Sequence, residues 1–193
     1  MSKLSRLAET LIGSEIVRLG NEIAVRVNRG EKIYNYTIGD FDPQIFPIPQ
    51  ELEDAIVDAY RNKQTNYPPG DGVLELRQAV ASFIKDREGI EYAANEVLIA
   101  GGGRPLIYSV FRAIVDAGDK VIYAVPSWNN NHYTHMNDGE HCVKEATVEN
   151  DFMPTAADIE PHIKGAALLC LCTPQNPTGT TLAKAELEKI CDL

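Results

Sequence analysis

Three loops of this sequence carry residue types that could bind a small anionic ligand with a flat ring. The run Gly101–Pro105 can bring backbone N–H groups close to an anion, because glycine has no Cβ in the way. Trp128, the only tryptophan, can stack on a ring. Asn176 stands between Pro174 and Pro177, which restrict the backbone and hold the amide in place to donate to a ring oxygen.

Each loop also has a plainer interpretation. The glycines fit a flexible strand-to-helix turn, and Trp128 fits core packing. A dinucleotide site is disfavoured, because Leu106 stands where the third glycine would be and no acidic residue ends the next apolar run. No Gly-Lys-Ser/Thr triplet follows, which excludes a P-loop NTPase. Taken together, the three loops favour a phosphorylated planar heterocycle, and pyridoxal 5′-phosphate fits.

Alternating elements must position these loops. The segments EVLIA, KVIYAV, CVKEATV and AALLCLC are predicted strands, and helices are predicted between them. This alternation implies parallel β-α-β units with right-handed crossovers. The nearly unbroken apolar runs of EVLIA, KVIYAV and AALLCLC indicate strands covered on both faces. The predicted fold is therefore α/β with a parallel sheet, whose ligands bind beyond the carboxyl ends of the strands.

The first ninety residues lack this regular alternation of strands and helices. Apolar spacing predicts two helices over residues 4–27, and KIYNYTI at residues 32–38 is a predicted strand. A helix is predicted from Pro49 through Tyr60, and another over Val73–Glu88 that stops at Gly89.

The charge and hydrophobicity of the sequence exclude several classes of binding partner. The chain of 193 residues has a formal net charge of −10 and no cluster of basic residues, which argues against nucleic acid and anionic membranes. The longest apolar run, residues 166–172, is too short to cross a bilayer, and the N-terminus lacks a signal-peptide core, so a cytoplasmic protein is expected. The four cysteines are expected to be reduced thiols, and no metal site is predicted.

Several motifs, in order, resemble the class I/II aminotransferases, the fold-type-I enzymes that use pyridoxal phosphate. YTIGDFD is similar to the family's substrate loop, which implies a backbone contact from Gly39 to the substrate carboxylate. NYPPGDGVLELR resembles the stretch whose tyrosine, here Tyr67, contacts the cofactor phosphate of the neighbouring subunit.

The remaining motifs resemble the cofactor-binding loops. AGGGRPLIY implies phosphate binding by Gly103 and Arg104, and Pro105 departs from the common pattern because it has no N–H. VPSWNNNHY implies that Trp128 stacks on the pyridine ring. TPQNPTG, the most specific motif, implies that Asn176 binds the ring hydroxyl oxygen.

The resemblance implies two regions and an activity. Residues 1–48 would form an N-terminal helical segment with the substrate loop, and residues 49–193 part of the large cofactor-binding domain. The implied activity is amino transfer from an amino acid to a 2-oxo acid, in amino acid metabolism, by a homodimer. The substrate stays open among aspartate, aromatic amino acids and alanine.

The family's Schiff-base lysine has no match among the nine lysines of this sequence, so no catalytic residue is assigned. We therefore expect the chain alone not to transaminate. The resemblance also implies further strands beside AALLCLC, whose absence would leave apolar edges and faces uncovered, so we expect the chain to oligomerise, to need a complementing chain or to be marginally stable. Two alternatives stay open: another reaction on the same cofactor, such as β-elimination, and a non-catalytic or decayed aminotransferase-like partner.

Overall fold

The computed structural model describes residues 3–37, 39 and 41–193, and these fall into two compact units. One unit comprises the described residues up to Ile12 together with Gly102–Leu193, and the other is Gly13–Gly101. The predicted division at residue 48 stays a prediction.

The described residues form eight α-helices and three β-strands. None of these helices is both long and apolar enough to cross a membrane. In chain order the elements are α1 (Arg6–Glu9), α2 (Glu15–Asn28), α3 (Gln50–Arg61), α4 (Leu74–Glu88), α5 (Gly103–Ile114), β1 (Lys120–Val125), α6 (Asn130–Met136), β2 (Glu140–Glu145), α7 (Ala156–Ile163), β3 (Ala166–Cys170) and α8 (Lys184–Cys191).

The sheet lies in the unit that contains Gly102–Leu193. Its strand order is β2-β1-β3, and both pairings are parallel. The prediction of a parallel α/β fold is confirmed. β1 coincides with KVIYAV, whereas β2 begins two residues before Cys142 and β3 ends at Cys170, before the end of AALLCLC.

Helices cover both faces of the central strand. On one face Val121 and Tyr123 belong to a core cluster with Phe111 of α5 and Tyr133 of α6, whose two rings lie 5.5 Å apart. Side chains alternate along a strand, so Ile122 points to the opposite face, and α7 packs against all three strands. Each such buried side chain contributes about 1.5–3 kcal/mol relative to exposure. This packing fixes β1 between its neighbours.

The unit Gly13–Gly101 contains α2, α3 and α4. Their predicted positions are confirmed, with Pro49 preceding α3 and Gly89 ending α4 in the left-handed conformation, φ 72°. None of the three helices has a buried residue among those described. Apolar side chains such as Leu52 and Ile56 of α3 are exposed.

Two predicted strands are wrong within the described residues of this unit. Neither EVLIA nor the described part of KIYNYTI forms a strand, and Ile38 lies outside the described residues. A strand requires a neighbour with which to exchange backbone hydrogen bonds. The described residues of this unit provide none, although Ile99 N–H donates to the Asp71 carbonyl at 3.1 Å.

Arg77 bonds to the turn in the motif NYPPGDGVLELR and to a neighbouring loop. The Arg77 side chain, 12% exposed, donates to the carbonyl of Gly72 at 3.1 Å and of Ala94 at 2.9 Å, and pairs with the Asp71 carboxylate at 2.9 Å. Gly72 has φ 97°, and a Cβ there would lie 2.6 Å from the Ile99 Cβ. Only glycine fits this close approach.

Candidate functional site

Trp128 and Asn176 lie beyond the carboxyl ends of two neighbouring strands. β1 and β3 are parallel neighbours, so the loops after them leave from one edge, and Trp128 is in the first loop and Asn176 in the second. Both residues line one cleft with a volume of about 370 Å³. The rest of its wall is mostly apolar and comes from Ile107, Val110, Phe111, Asn130, Tyr133 and residues 168–172.

The asparagine run after Trp128 makes the turn that positions the indole. Asn129 adopts the left-handed conformation, φ 58° and ψ 4°, which asparagine tolerates better than most residues. This residue occupies the N-cap position of α6, which begins at Asn130. Trp128 is therefore held, half-buried, between the end of β1 and the start of α6.

The loop that carries Asn176 is closed by its own hydrogen bonds. The Gln175 N–H donates to the Thr180 carbonyl and the Gly179 N–H to the Gln175 carbonyl, both at 2.7 Å. The Leu182 N–H donates to Thr173 Oγ1 at 3.0 Å. The Asn176 amide is exposed and makes no hydrogen bond within the described part of the chain, so it is available to a ligand.

Sequence reasoning missed Gln175. This side chain is only 4% exposed, and its Nε2 donates to the carbonyl of Pro126, in the loop that carries Trp128. The bond ties the two strand-end loops together beside the cleft. No local sequence signal marks Gln175, because its partner lies far away in the chain.

The start of α5 is the third predicted part of the site. Gly102 precedes the helix with φ 109°, and the first N–H groups of an α-helix have no acceptor within it. Gly103 and Arg104 therefore offer backbone donors, whereas Pro105 offers none. The Arg104 guanidinium lies over the Trp128 ring, 5.3 Å from its centroid.

The structure thus places Arg104 beside Trp128, and Trp128 and Asn176 around one cleft. Gly39 and Tyr67 belong to the other unit. Both are exposed, Tyr67 at 99%, and Gly39 lies between two residues outside those described. The roles assigned to all six residues stay predictions.

Two further groups lie in the cleft wall. Burial raises the pKa of the Cys170 thiol to about 11, so this thiol stays protonated at neutral pH. The Tyr133 hydroxyl is buried and has no hydrogen-bond partner among the described residues. A buried polar atom without a partner is uncommon in a folded protein. All four cysteines are free, and the residues described contain no group of three or more potential metal ligands.

Comparison with known proteins gives a family and a fold. The model of the family described as Aminotransferase class I and II matches residues 32–193. A bifunctional aspartate aminotransferase and glutamate/aspartate-prephenate aminotransferase of Petunia hybrida is 26% identical over 98% of this chain and 40% of its own length. A probable aspartate/prephenate aminotransferase of Rickettsia felis is 32% identical over 75% of this chain and 36% of its own.

Solved aminotransferase structures also superpose on this chain. The aspartate aminotransferase of Thermus thermophilus with maleate superposes with a TM-score of 0.89 at 27% identity, over 100% of this chain and 50% of the other. The alanine aminotransferase of Pyrococcus furiosus, at 23% identity and a TM-score of 0.88, shares the fold. The chain spans half or less of the length of these relatives.

Proposed function

The chain belongs to the class I and II aminotransferases, and from this we propose that it forms the cofactor-binding wall of an enzyme that moves an amino group from an amino acid to a 2-oxo acid. Members of this family depend on pyridoxal phosphate. When bound, this cofactor supplies an electron sink for bond breaking at the α-carbon of the amino acid. The names of the relatives make aspartate the first donor to test.

One observation carries this proposal: Trp128 and Asn176, from loops after neighbouring strands, line a single cleft. The indole offers a stacking surface, and the exposed Asn176 amide offers a donor to the ring hydroxyl oxygen. The N–H groups of Gly103 and Arg104, at the positive end of α5, suit the phosphate. The cleft volume of about 370 Å³ lies in the ~300–1,000 Å³ range of small-ligand sites. The residues present therefore fit the cofactor.

The other unit contributes two proposed contacts. Tyr67 reaches the cofactor phosphate of the neighbouring subunit in a homodimer, which accounts for an aromatic side chain that is almost fully exposed. The backbone of Gly39 contacts the substrate carboxylate. We place the enzyme in the cytoplasm.

The cleft contains no lysine among its described wall residues. Amino transfer on this cofactor needs a lysine that binds it covalently and moves the α-proton. We therefore propose that the 193-residue chain binds and orients the cofactor without transaminating by itself. Turnover of aspartate and a 2-oxo acid by the purified chain would contradict this.

Trp128 provides the binding assay, because it is the only tryptophan. Pyridoxal phosphate should quench its emission saturably. Asn176→Ala should weaken binding by about tenfold, since one donor to a charged or polar ring oxygen is lost. The control is Asn150→Ala, because Asn150 is exposed, ends a short 3₁₀ helix and does not line the cleft. Absence of saturable quenching, or equal affinity of Asn176→Ala and wild type, would refute the proposed site.

A further inference from the structure

Of the buried side-chain nitrogen and oxygen atoms in the described part of the chain, only the Tyr133 hydroxyl has no hydrogen-bond partner. Tyr133 lies in α6 and is 8% exposed. Its ring belongs to the core cluster on one face of the sheet, with the Phe111 ring 5.5 Å away. Because this packing restricts the ring, the hydroxyl stays inside the protein and loses the hydrogen bonds that water would supply.

Other buried polar groups near Tyr133 do have partners. The Asn137 side-chain amide, one turn further along the chain, donates to the Tyr133 carbonyl at 2.8 Å. Tyr123 belongs to the same core cluster, and its hydroxyl is hydrogen-bonded to His141 Nδ1 at 2.9 Å. A buried hydroxyl without a partner destabilises a folded protein and is uncommon. The exception at Tyr133 therefore points to a role for this hydroxyl beyond folding.

Tyr133 also lines the cleft that contains Trp128 and Asn176. The rest of the cleft wall is mostly apolar. A ligand that fills the cleft is therefore a partner that the hydroxyl can gain. A hydrogen bond formed there is shielded from water and is electrostatically stronger than one at the surface.

We propose that Tyr133 is a ligand-binding residue that selects flat rings with a hydrogen-bond acceptor. Its hydroxyl donates to an acceptor atom on the ring that stacks on Trp128 and contacts Asn176. A plain hydrocarbon ring leaves this donor unpaired and therefore binds more weakly. The inference rests on the proposed function and adds a third contact to the ring of the heterocycle.

Tyr133→Phe removes the hydroxyl and keeps the ring, so it separates binding from folding. An unpaired hydroxyl does not stabilise the fold, so the variant should unfold at the same urea concentration as wild type or at a higher one. Pyridoxal 5′-phosphate loses a hydrogen bond and should bind the variant about tenfold more weakly. The matched control is Tyr123→Phe, because Tyr123 does not line the cleft and its hydroxyl has a partner. This control should unfold at a lower urea concentration and bind pyridoxal 5′-phosphate as wild type does.

The experiment combines urea denaturation, followed by far-ultraviolet circular dichroism, with isothermal titration calorimetry of two ligands. Pyridoxal 5′-phosphate has a ring nitrogen and a ring hydroxyl oxygen as acceptors. Phenyl phosphate has a flat ring and a phosphate, but its ring has no nitrogen and no free hydroxyl. Tyr133→Phe should therefore lower the preference for pyridoxal 5′-phosphate over phenyl phosphate by about tenfold.

The outcomes separate this inference from the proposed function. If pyridoxal 5′-phosphate does not bind wild type, the proposed function fails and the inference fails with it. If it binds wild type and Tyr133→Phe with equal affinity, the inference alone is overturned. The same holds if Tyr133→Phe unfolds at as low a urea concentration as Tyr123→Phe, because the hydroxyl would then have a structural role.

Discussion

Replacing Gln175 tests whether its hydrogen bond to Pro126 holds the two loops of the site together. Gln175→Leu keeps the approximate volume and removes the donor, so the Pro126 carbonyl loses its partner. A buried acceptor left without a partner costs about 1–3 kcal/mol. Pro126 is half-buried and water can replace part of the bond. We therefore expect a loss of about 1–2 kcal/mol in the free energy of unfolding.

The assay is equilibrium denaturation in urea, followed by far-ultraviolet circular dichroism and, separately, by the emission of Trp128. Because Pro126 lies close to Trp128 in the chain, Gln175→Leu should also shift the emission of the folded protein. The control is Thr178→Val in the same loop, which removes the 2.9 Å contact between the hydroxyls of Thr178 and Thr180. This half-buried contact should contribute no more than about 0.5 kcal/mol.

The reasoning would be refuted if Gln175→Leu unfolded at the same urea concentration as wild type. It would also be refuted if Thr178→Val were destabilised equally, because the effect would then belong to the loop in general. A stability loss without an emission change would show that Gln175 stabilises its own loop and does not position Trp128.

Two further predictions concern backbone fit and pH. Gly72→Ala should lower the free energy of unfolding by about 2–4 kcal/mol in thermal denaturation, because a Cβ at φ 97° would lie 2.6 Å from the Ile99 Cβ. The control is Gly70→Ala, which should be close to neutral because no atom lies within 4 Å of the added Cβ. Hydrogen bonds from the Thr155 hydroxyl and N–H lower the pKa of the Asp158 carboxyl in the folded protein. The ionised carboxylate therefore contributes fully to the free energy of unfolding above its unfolded pKa of about 3.9, and this contribution is lost as the pH falls through the lower folded pKa. Asp158→Asn should therefore cost about 1 kcal/mol at pH 7 and less as the pH falls below the unfolded value, and a cost that does not change with pH would contradict this.

Local patterns predicted the elements whose causes are local. KVIYAV is apolar after Lys120 and coincides with β1, and a helix predicted between CVKEATV and AALLCLC is found as α7, whose N-cap Thr155 bonds Asp158. EVLIA has the same apolar character but forms no strand among the described residues, since a strand also depends on its neighbour. The motifs predicted Trp128, Arg104 and Asn176, but no pattern reveals that Arg104 lies over Trp128, because this contact joins the start of α5 to the loop after β1.

The strand order β2-β1-β3 gives the sheet two unlike edges. β2 carries Glu140, Lys144 and Glu145, and charged edge strands resist pairing with further strands. β3, Ala166–Cys170, has no charged residue and no proline. Of the two edge strands, β3 is therefore the one that more readily pairs with a further strand, and its residues 168–170 also line the apolar cleft. The same asymmetry makes β3 the first place to introduce a lysine when the chain must be kept from self-association in concentrated solution.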